Sequence, residues 1–175
     1  MVAREGVQLR GERDQGRPMA DATGLTVVVT GPTGTFGFAL MPLLQEDDRI
    51  DRVIGIARRP FDPAEHGWTK MEYRRGDVRD ADALRTAFDG ADVVVHLAFL
   101  ILSGGRKTTR AINIEGTLNA FLAAAGAGAK RFVYASSIAA YGFHRDNPIG
   151  ITEEWATRPA DRLFYAQEKA ELEHL

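Results

Sequence analysis

A continuous apolar run, followed at once by three evenly spaced glycines, constrains this chain more than any other feature. The run is Leu25–Thr30, and the glycines are Gly31, Gly34 and Gly37. Apolar, β-branched runs of this length are typical of strands that are covered on both faces, as in parallel sheets. A helical pattern of apolar residues follows over residues 35–45. We therefore predict a strand, a tight glycine turn and a helix, in that order.

The same alternation of strand and helix signals continues along the chain. Further strands are predicted at 51–57, 71–75, 92–98 and 131–135, and further helices at 80–88, 107–127 and from about 161 to the end. Because strands alternate with helices, the pattern predicts βαβ units with right-handed crossovers. The expected fold class is therefore α/β, a doubly wound parallel sheet of the Rossmann type with strand order 3-2-1-4-5.

Size and composition exclude several classes of protein. With 175 residues, 45% of them hydrophobic, the chain can form one domain with a core but not two large ones. The net charge of −2 and the lack of a basic cluster argue against nucleic-acid binding. No apolar run approaches the roughly 20 residues that span a bilayer. Cysteine is absent, which suits a cytoplasmic protein, and the four histidines lack the spacing of metal ligands, so no metal site is expected.

The N-terminal segment differs from the rest of the chain. Residues 1–22 are polar, their arginines alternate with acidic residues, and they lack the apolar region of a signal peptide. We expect a disordered N-terminal extension over 1–22 and the nucleotide-binding domain over 23–175. Met19 stands just before the first strand and is a candidate for the natural start.

The position of the glycines between a strand and a helix favours a dinucleotide-binding loop. The first glycine would allow the tight turn, the second a close approach of the backbone to a pyrophosphate, and the third close packing of the helix on the strand. The partial positive charge of the helix N-terminus favours an anion there. A P-loop is excluded because no Gly-Lys-Ser/Thr follows. The loop residues expected to bind the cofactor are Gly31, Thr33, Gly34, Thr35, Phe36 and Gly37.

The glycine sequence and the motifs behind it resemble those of one enzyme family. The loop reads TGPTGTFG and fits the TGxxGxxG of the extended and atypical branches of the short-chain dehydrogenase/reductase family. The family's later motifs are resembled, in order, by GDVRD, VVVHLAF, NIEGT, VYASSIAAYG and a final YxxxK. The loop NPIGITEEWATRP is similar to the sugar-nucleotide epimerases and dehydratases. The resemblance runs from Leu25 to Lys169 and implies an NAD(P)-dependent epimerase, dehydratase or reductase.

The resemblance also implies roles for residues that follow the third and fourth strands. Asp77 would contact the adenine amine, and Val78 stands beside it. Leu97 and Ala98 would line the adenosine side of the cofactor. Phe99 stands where the family usually has a small residue, and we expect it to narrow the pocket.

A tyrosine and a lysine four residues apart carry the predicted chemistry. Tyr165 and Lys169 share a helix face at this spacing, and both are also expected to contact the cofactor. The ammonium favours phenolate character through its charge, and such a phenol can exchange a proton with a substrate oxygen. The resemblance implies that Ser137, four residues before Tyr141, hydrogen-bonds that oxygen, with Ser136 as the alternative.

Three further residues have two interpretations each. Asn113 resembles the family's asparagine that supports a water relay to the lysine, but it could equally bond a nearby backbone group. Tyr141 could contact substrate or pack, and packing is favoured. His96 lies in an apolar strand, so a core histidine with satisfied hydrogen bonds is favoured over a functional one.

The residues after the second strand bear on the choice of dinucleotide. An acidic residue there would bind the ribose 2′-hydroxyl and favour NAD. Ala57 occupies about that position, and Arg58 and Arg59 follow. Because arginine suits a 2′-phosphate, we favour NADP over NAD. The alternative is that the arginines stack on the adenine or face solvent.

The chain ends six residues after Lys169, at Leu175. Members of the resembled family continue with a sixth strand and a smaller C-terminal region that forms most of the substrate pocket. We therefore expect a domain that is truncated on the substrate side, with an uncovered sheet edge that also allows a homodimer. The alternative to an enzyme is a non-catalytic dinucleotide-binding module.

Overall fold

The computed structural model describes residues 23–101 and 105–175, so the predicted N-terminal extension and Met19 lie outside the described residues. All strand pairs of its single sheet are parallel. The strands are Leu25–Thr30 (β1), Ile50–Ala57 (β2), Met71–Arg75 (β3), Val93–His96 (β4) and Arg131–Tyr134 (β5). Their order is β3-β2-β1-β4-β5, which confirms the predicted Rossmann-type α/β fold.

Helices connect the strands and cover the sheet. They are Thr35–Glu46 (α1), Ala81–Phe88 (α2), Arg106–Arg110 (α3), Gly116–Gly126 (α4) and Phe164–Glu173 (α5). A π-helical segment, Ala111–Glu115, joins α3 to α4 within the single helix that the sequence predicts for 107–127. Short 3₁₀ turns lie at Pro63–His66 and Ile138–Tyr141. In the part of the chain that the structure describes, no helix has the length and hydropathy needed to cross a membrane.

Both faces of the sheet are buried, as the apolar run of β1 predicts. Val28 points into a cluster with Ile54 and Phe88, beneath α2 and α4. Val27 and Val29 point to the opposite face, into a cluster that includes Met41 of α1. Because successive side chains of a strand point to opposite faces, a strand between two helical layers needs apolar residues at every position.

Two predicted boundaries, the end of the fourth strand and the start of the last helix, differ from those in the structure. The fourth strand ends at His96, and Leu97–Phe99 leave the sheet at the edge where the cofactor cleft opens. The last helix begins at Phe164 rather than near residue 161, because a turn with a hydrogen bond from Leu163 N to Ala160 O precedes it. Because β4 ends at His96, residues 97–99 lie in a loop that can face a ligand.

Candidate functional site

The glycine loop joins β1 to α1 at the carboxyl edge of the sheet. Gly31 has φ +77°, in the left-handed region, and a Cβ there would lie 2.9 Å from the Ala98 nitrogen. Gly34 is the N-cap of α1, and no side chain caps this helix end. At Gly37 a Cβ would lie 2.2 Å from the Gly31 oxygen. The first glycine therefore allows the tight turn, and the third allows α1 to pack closely on that turn. At the second glycine the uncapped N-terminus of α1 is exposed.

A cleft of about 150 Å³ opens beside this loop. The carboxyl ends of β1, β2, β3 and β4 all contribute to it, as expected for the ligand crevice of an open parallel sheet. Nine of the predicted cofactor residues line it: Gly31, Thr33, Gly34, Arg58, Arg59, Asp77, Val78, Leu97 and Ala98. Of the other loop residues, Thr35 is exposed on α1, Gly37 is buried beneath the loop, and Phe36 lines a neighbouring pocket.

Charged side chains stand at the rim of the cleft. Asp77 accepts hydrogen bonds from the Arg79 nitrogens Nε at 3.0 Å and Nη2 at 2.7 Å, and these bonds lower the pKa of its carboxyl group. The positive charge of Arg58 adds a smaller lowering of the same pKa. Arg75 Nε donates to the Arg58 carbonyl at 3.0 Å and holds the turn that carries Arg58 and Arg59. The rim thus combines one ion-paired carboxylate with two exposed arginines.

Tyr165 and Lys169 face one small pocket, as their spacing on α5 predicts. The Lys169 Nζ atom lies 5.7 Å from the centre of the Tyr165 ring. Ser136 lies in the same pocket, which has a volume of about 60 Å³. Leu97 and Phe99 line both this pocket and the cofactor cleft, so the two spaces adjoin.

The Lys169 side chain is almost completely buried, with 3% of its surface exposed. Its Nζ donates a hydrogen bond of 2.6 Å to the Ala135 carbonyl at the end of β5. The same atom lies 3.6 Å from the centre of the Phe99 ring and 4.4 Å from that of Tyr134. Burial lowers the pKa of the ammonium from 10.5 to about 8. The lysine is therefore cationic at neutral pH and titrates in a weakly alkaline range.

The two candidate serines occupy neighbouring positions after β5. Ser136 lies between the Tyr165–Lys169 pocket and a wider groove that is also lined by Ser137 and Tyr141. The Ser137 Oγ accepts a hydrogen bond of 3.2 Å from the Ala139 nitrogen and caps a 3₁₀ turn. Ser137 therefore borders the groove, and Ser136 borders both spaces.

Asn113 is fully buried in the π-helical segment, and its side-chain amide is well satisfied. Its Oδ1 accepts from the Leu100 nitrogen at 2.8 Å, and its Nδ2 donates to the Leu100 oxygen at 2.9 Å and to Glu168 Oε2 at 2.7 Å. This geometry ties the loop after β4 to α5, the helix of Tyr165 and Lys169. It agrees with the interpretation of Asn113 as a residue that bonds nearby backbone, and the water relay stays a prediction.

His96 is a buried core histidine, with 1% of its surface exposed. Its Nδ1 lies 2.8 Å from Thr30 Oγ1, and its Nε2 lies 3.0 Å from Thr117 Oγ1. Since the Thr117 hydroxyl donates to the Asn113 carbonyl, it accepts from Nε2–H, which leaves Nδ1 to accept from Thr30. Burial, with a smaller effect of the Lys169 charge, lowers the pKa of the imidazole from 6.5 to about 3.

Sequence reasoning missed two residues of the pocket region. Tyr134 lies under the Lys169 ammonium, and its buried hydroxyl has no hydrogen-bond partner within the described ranges. Glu168 is buried and bonds Asn113. The signal for Tyr134 was its place inside the VYASSIAAYG motif, two residues before Ser136. For Glu168 it was the adjacency to Lys169, although a glutamate is seldom expected inside.

The residues present fit a nicotinamide dinucleotide. The exposed Gly34 carries no side chain at the start of α1, so a pyrophosphate can approach the loop backbone there, and the uncapped N-terminus of α1 suits such an anion. Leu97 and Phe99 line both the cleft and the pocket of Tyr165 and Lys169, so the two spaces lie side by side, as a long two-part ligand requires. Among residues 23–101 and 105–175, no three His, Asp or Glu side chains form a group that could hold a metal.

Two longer proteins are similar to this chain in sequence. The chain is 33% identical to sterol demethylase protein B of Methylococcus capsulatus over 86% of the chain and 45% of that protein. It is 38% identical to a 3 beta-hydroxysteroid dehydrogenase/Delta 5-->4-isomerase of Mycobacterium tuberculosis over 69% of the chain and 35% of that protein. The chain thus spans less than half the length of these two relatives.

A solved structure and a family model extend the comparison. A short-chain dehydrogenase/reductase superfamily protein from Agrobacterium tumefaciens with bound NAD superimposes with a TM-score of 0.70 at 32% identity, over 85% of this chain and 43% of that one. The sequence model described as the NAD dependent epimerase/dehydratase family matches residues 27–175. The glycine cleft, the tyrosine–lysine pair beside it and this match over most of the chain have one explanation: the chain belongs to the NAD-dependent epimerase/dehydratase family.

Proposed function

We propose that this chain is the cofactor-binding and proton-transferring part of an NAD(P)-dependent epimerase, dehydratase or reductase. The observation that supports this most strongly is that the glycine cleft adjoins the pocket of Tyr165 and Lys169, with Leu97 and Phe99 lining both. A plain dinucleotide-binding module would need the cleft but not the adjoining tyrosine and lysine. The pair in the pocket therefore favours an enzyme over that alternative.

In this proposal some residues bind the dinucleotide and others act on the substrate. The backbone of the glycine loop and the N-terminus of α1 hold the pyrophosphate, and Asp77 and Val78 border the adenosine. When bound, the nicotinamide supplies or accepts the hydride. Tyr165 exchanges a proton with the reacting substrate oxygen, which Ser137 also contacts by a hydrogen bond. Lys169 keeps a positive charge close to the tyrosine and would also bond the cofactor.

A sugar nucleotide is the substrate class that we propose first. The groove next to Ser136 and Ser137 has a volume of about 630 Å³, and the loop that resembles sugar-nucleotide enzymes lines it with Glu153 and Glu154. Acidic side chains suit the hydroxyl groups of a sugar. A sterol-like alcohol is the second candidate, since the two relatives carry steroid and sterol names and Ile138 of the groove is 80% exposed.

Substitution of Tyr165 tests the proposed chemistry. We expect Tyr165→Phe to keep dinucleotide affinity within about twofold of the parent and to lower turnover by about 100-fold or more, because only the proton-transferring hydroxyl is removed. Affinity would be measured by calorimetric titration. Turnover would be measured by the absorbance of the reduced nicotinamide over a panel of sugar nucleotides and hydroxysteroids. Tyr73→Phe, on β3 and outside the pocket and the groove, is the matched control and should retain the turnover of the parent.

The same assays separate the alternatives. Dinucleotide binding by the parent without turnover on any substrate would support the non-catalytic module. Undiminished turnover in Tyr165→Phe would contradict the role of this tyrosine. Paired Ser137→Ala and Ser136→Ala variants assign the serine: the larger loss is expected in Ser137→Ala, and the reverse order would move the role to Ser136.

We also propose that NADP is bound in preference to NAD. Arg58 and Arg59 stand exposed at the rim of the cleft, and no acidic residue occupies the end of β2, where Ala57 lies. Charged hydrogen bonds to a 2′-phosphate contribute about 1.5–3 kcal/mol, so Arg58→Ala should weaken NADP binding about tenfold or more and leave NAD binding little changed. Arg52→Ala, at the start of the same strand, is the control. Tighter binding of NAD than of NADP by the parent would contradict the preference.

A further inference from the structure

Phe99 stands at the wall that the cofactor cleft and the catalytic pocket share. It follows β4, and its side chain lines both spaces. Its ring packs edge-on against the Tyr165 ring, with centroids 5.7 Å apart. A ligand with one end in the glycine cleft and the other beside Tyr165 would lie close to this ring.

The same ring holds the Lys169 ammonium. The Nζ atom lies 3.6 Å from the ring centroid, well inside the distance of about 6 Å at which a cation is attracted to an aromatic face. Tyr134 presents a second ring at 4.4 Å, and the Ala135 carbonyl accepts the hydrogen bond. With 3% of the side chain exposed, these contacts replace most of the hydration that the ammonium would have in water.

Several titratable groups face this ammonium from the elements packed around it. They are His96 from β4, Tyr134 from β5, and Tyr165, Glu168 and Glu173 from α5. The two glutamates favour the cation through their charge, while burial disfavours it. His96 stays neutral at ordinary pH and therefore adds no charge beside the ammonium. Among the rings that Lys169 Nζ contacts, that of Phe99 is the closest.

We propose that Phe99 is a positioning residue: its ring holds the Lys169 ammonium in place, a contact called the latch below, and it closes the passage between cleft and pocket. The ring turns aside when a dinucleotide spans both spaces, and Lys169 is then released toward the ligand. The latch itself rests on the observed contacts, whereas the closing of the passage rests on the proposed function. A phenylalanine that merely packs would do neither.

The latch is tested without cofactor by following the protonation of Lys169. The chain has four lysines, Lys70, Lys107, Lys130 and Lys169, so a ¹⁵N-lysine NMR titration can be assigned with a Lys169→Met sample. In Phe99→Leu, which keeps an apolar side chain but loses the ring face, we expect the pKa of Lys169 to fall by about 0.5 to 1 unit below that of the parent. Phe99→Tyr keeps a ring and should titrate like the parent. An unchanged titration in Phe99→Leu would overturn the latch.

The closing of the passage is tested by the rate of dinucleotide binding. Phe99→Ala should associate with NADP at least about threefold faster than the parent in stopped-flow fluorescence, because the binding-competent form no longer depends on ring rotation. Phe99→Tyr should bind at the rate of the parent. Equal rates in Phe99→Ala and the parent would overturn the closing role. If the parent binds no dinucleotide, the proposed function and the closing role both fail, while the Lys169 titration still decides the latch.

Discussion

Gly37→Ala is expected to destabilise the domain by about 3 kcal/mol. An added Cβ would lie 2.2 Å from the Gly31 oxygen and 2.6 Å from the Pro32 Cα. Both are backbone atoms of the tight turn, so they cannot rotate away as a flexible side chain would. The higher helix propensity of alanine, worth about 1 kcal/mol, does not offset such a clash. Urea unfolding of the variant beside the parent measures the loss.

Gly34→Ala is the matched control on the same loop. A Cβ there would lie 3.4 Å from the Gly31 oxygen, which the surroundings can accommodate with a small adjustment. We expect the free energy of unfolding to stay within about 0.5 kcal/mol of the parent. Dinucleotide affinity should nevertheless fall about tenfold or more, because the methyl group stands where the backbone would approach the pyrophosphate. Parent-like stability in Gly37→Ala, or parent-like affinity in Gly34→Ala, would refute the roles assigned to these glycines.

The second large effect is a loss of stability in acid that originates at His96. In the unfolded chain this imidazole takes up a proton near pH 6.5, whereas in the folded chain burial holds its pKa at about 3. Between these values the unfolded state binds more protons, so stability must fall as the pH falls. The contribution is about 1.4 kcal/mol for each pH unit below 6.5, and it levels off near pH 3.

His96→Gln separates this contribution from that of the carboxylates. Glutamine cannot ionise, so the free energy of unfolding should fall less steeply between pH 6.5 and 4 than in the parent, by about 1.4 kcal/mol per unit. The variant will be less stable at neutral pH, so the quantity to compare with the parent is the slope of the free energy of unfolding against pH. Equal slopes in His96→Gln and the parent would show that His96 is already protonated in the fold.

Local sequence patterns predicted most of the scaffold correctly. Aspartate is a typical N-cap residue at the start of a helix, and the Asp80 Oδ1 accepts a hydrogen bond of 3.0 Å from the Ala83 nitrogen at the start of the predicted helix 80–88. The apolar run of β1 predicted a strand buried on both faces, and the alternation of elements predicted a parallel sheet. These features depend on neighbouring residues or on general rules of chain topology. They can therefore be inferred without coordinates.

Contacts between distant segments could not be predicted in the same way. The sequence suggested that Phe99 narrows the pocket, but not that its ring would lie 3.6 Å from an ammonium seventy residues further along the chain. The hydrogen bond between Asn113 and Glu168 joins two helices across a separation of 55 residues. Which of Ser136 and Ser137 borders the tyrosine–lysine pocket depends on how the chain turns after β5. No local pattern encodes these distances.

The sequence by itself therefore determined the parallel α/β scaffold, the glycine loop and the shared helix face of Tyr165 and Lys169. All of these follow from the short-range periodicity of strands and helices and from the conformational freedom of glycine. Only the tertiary structure decided that the loop after β4 lies between the cleft and the pocket, and that Lys169 is buried against aromatic rings. The physical reason is that burial and ring contacts arise when remote segments pack, and a residue's neighbours in space are not its neighbours in the chain.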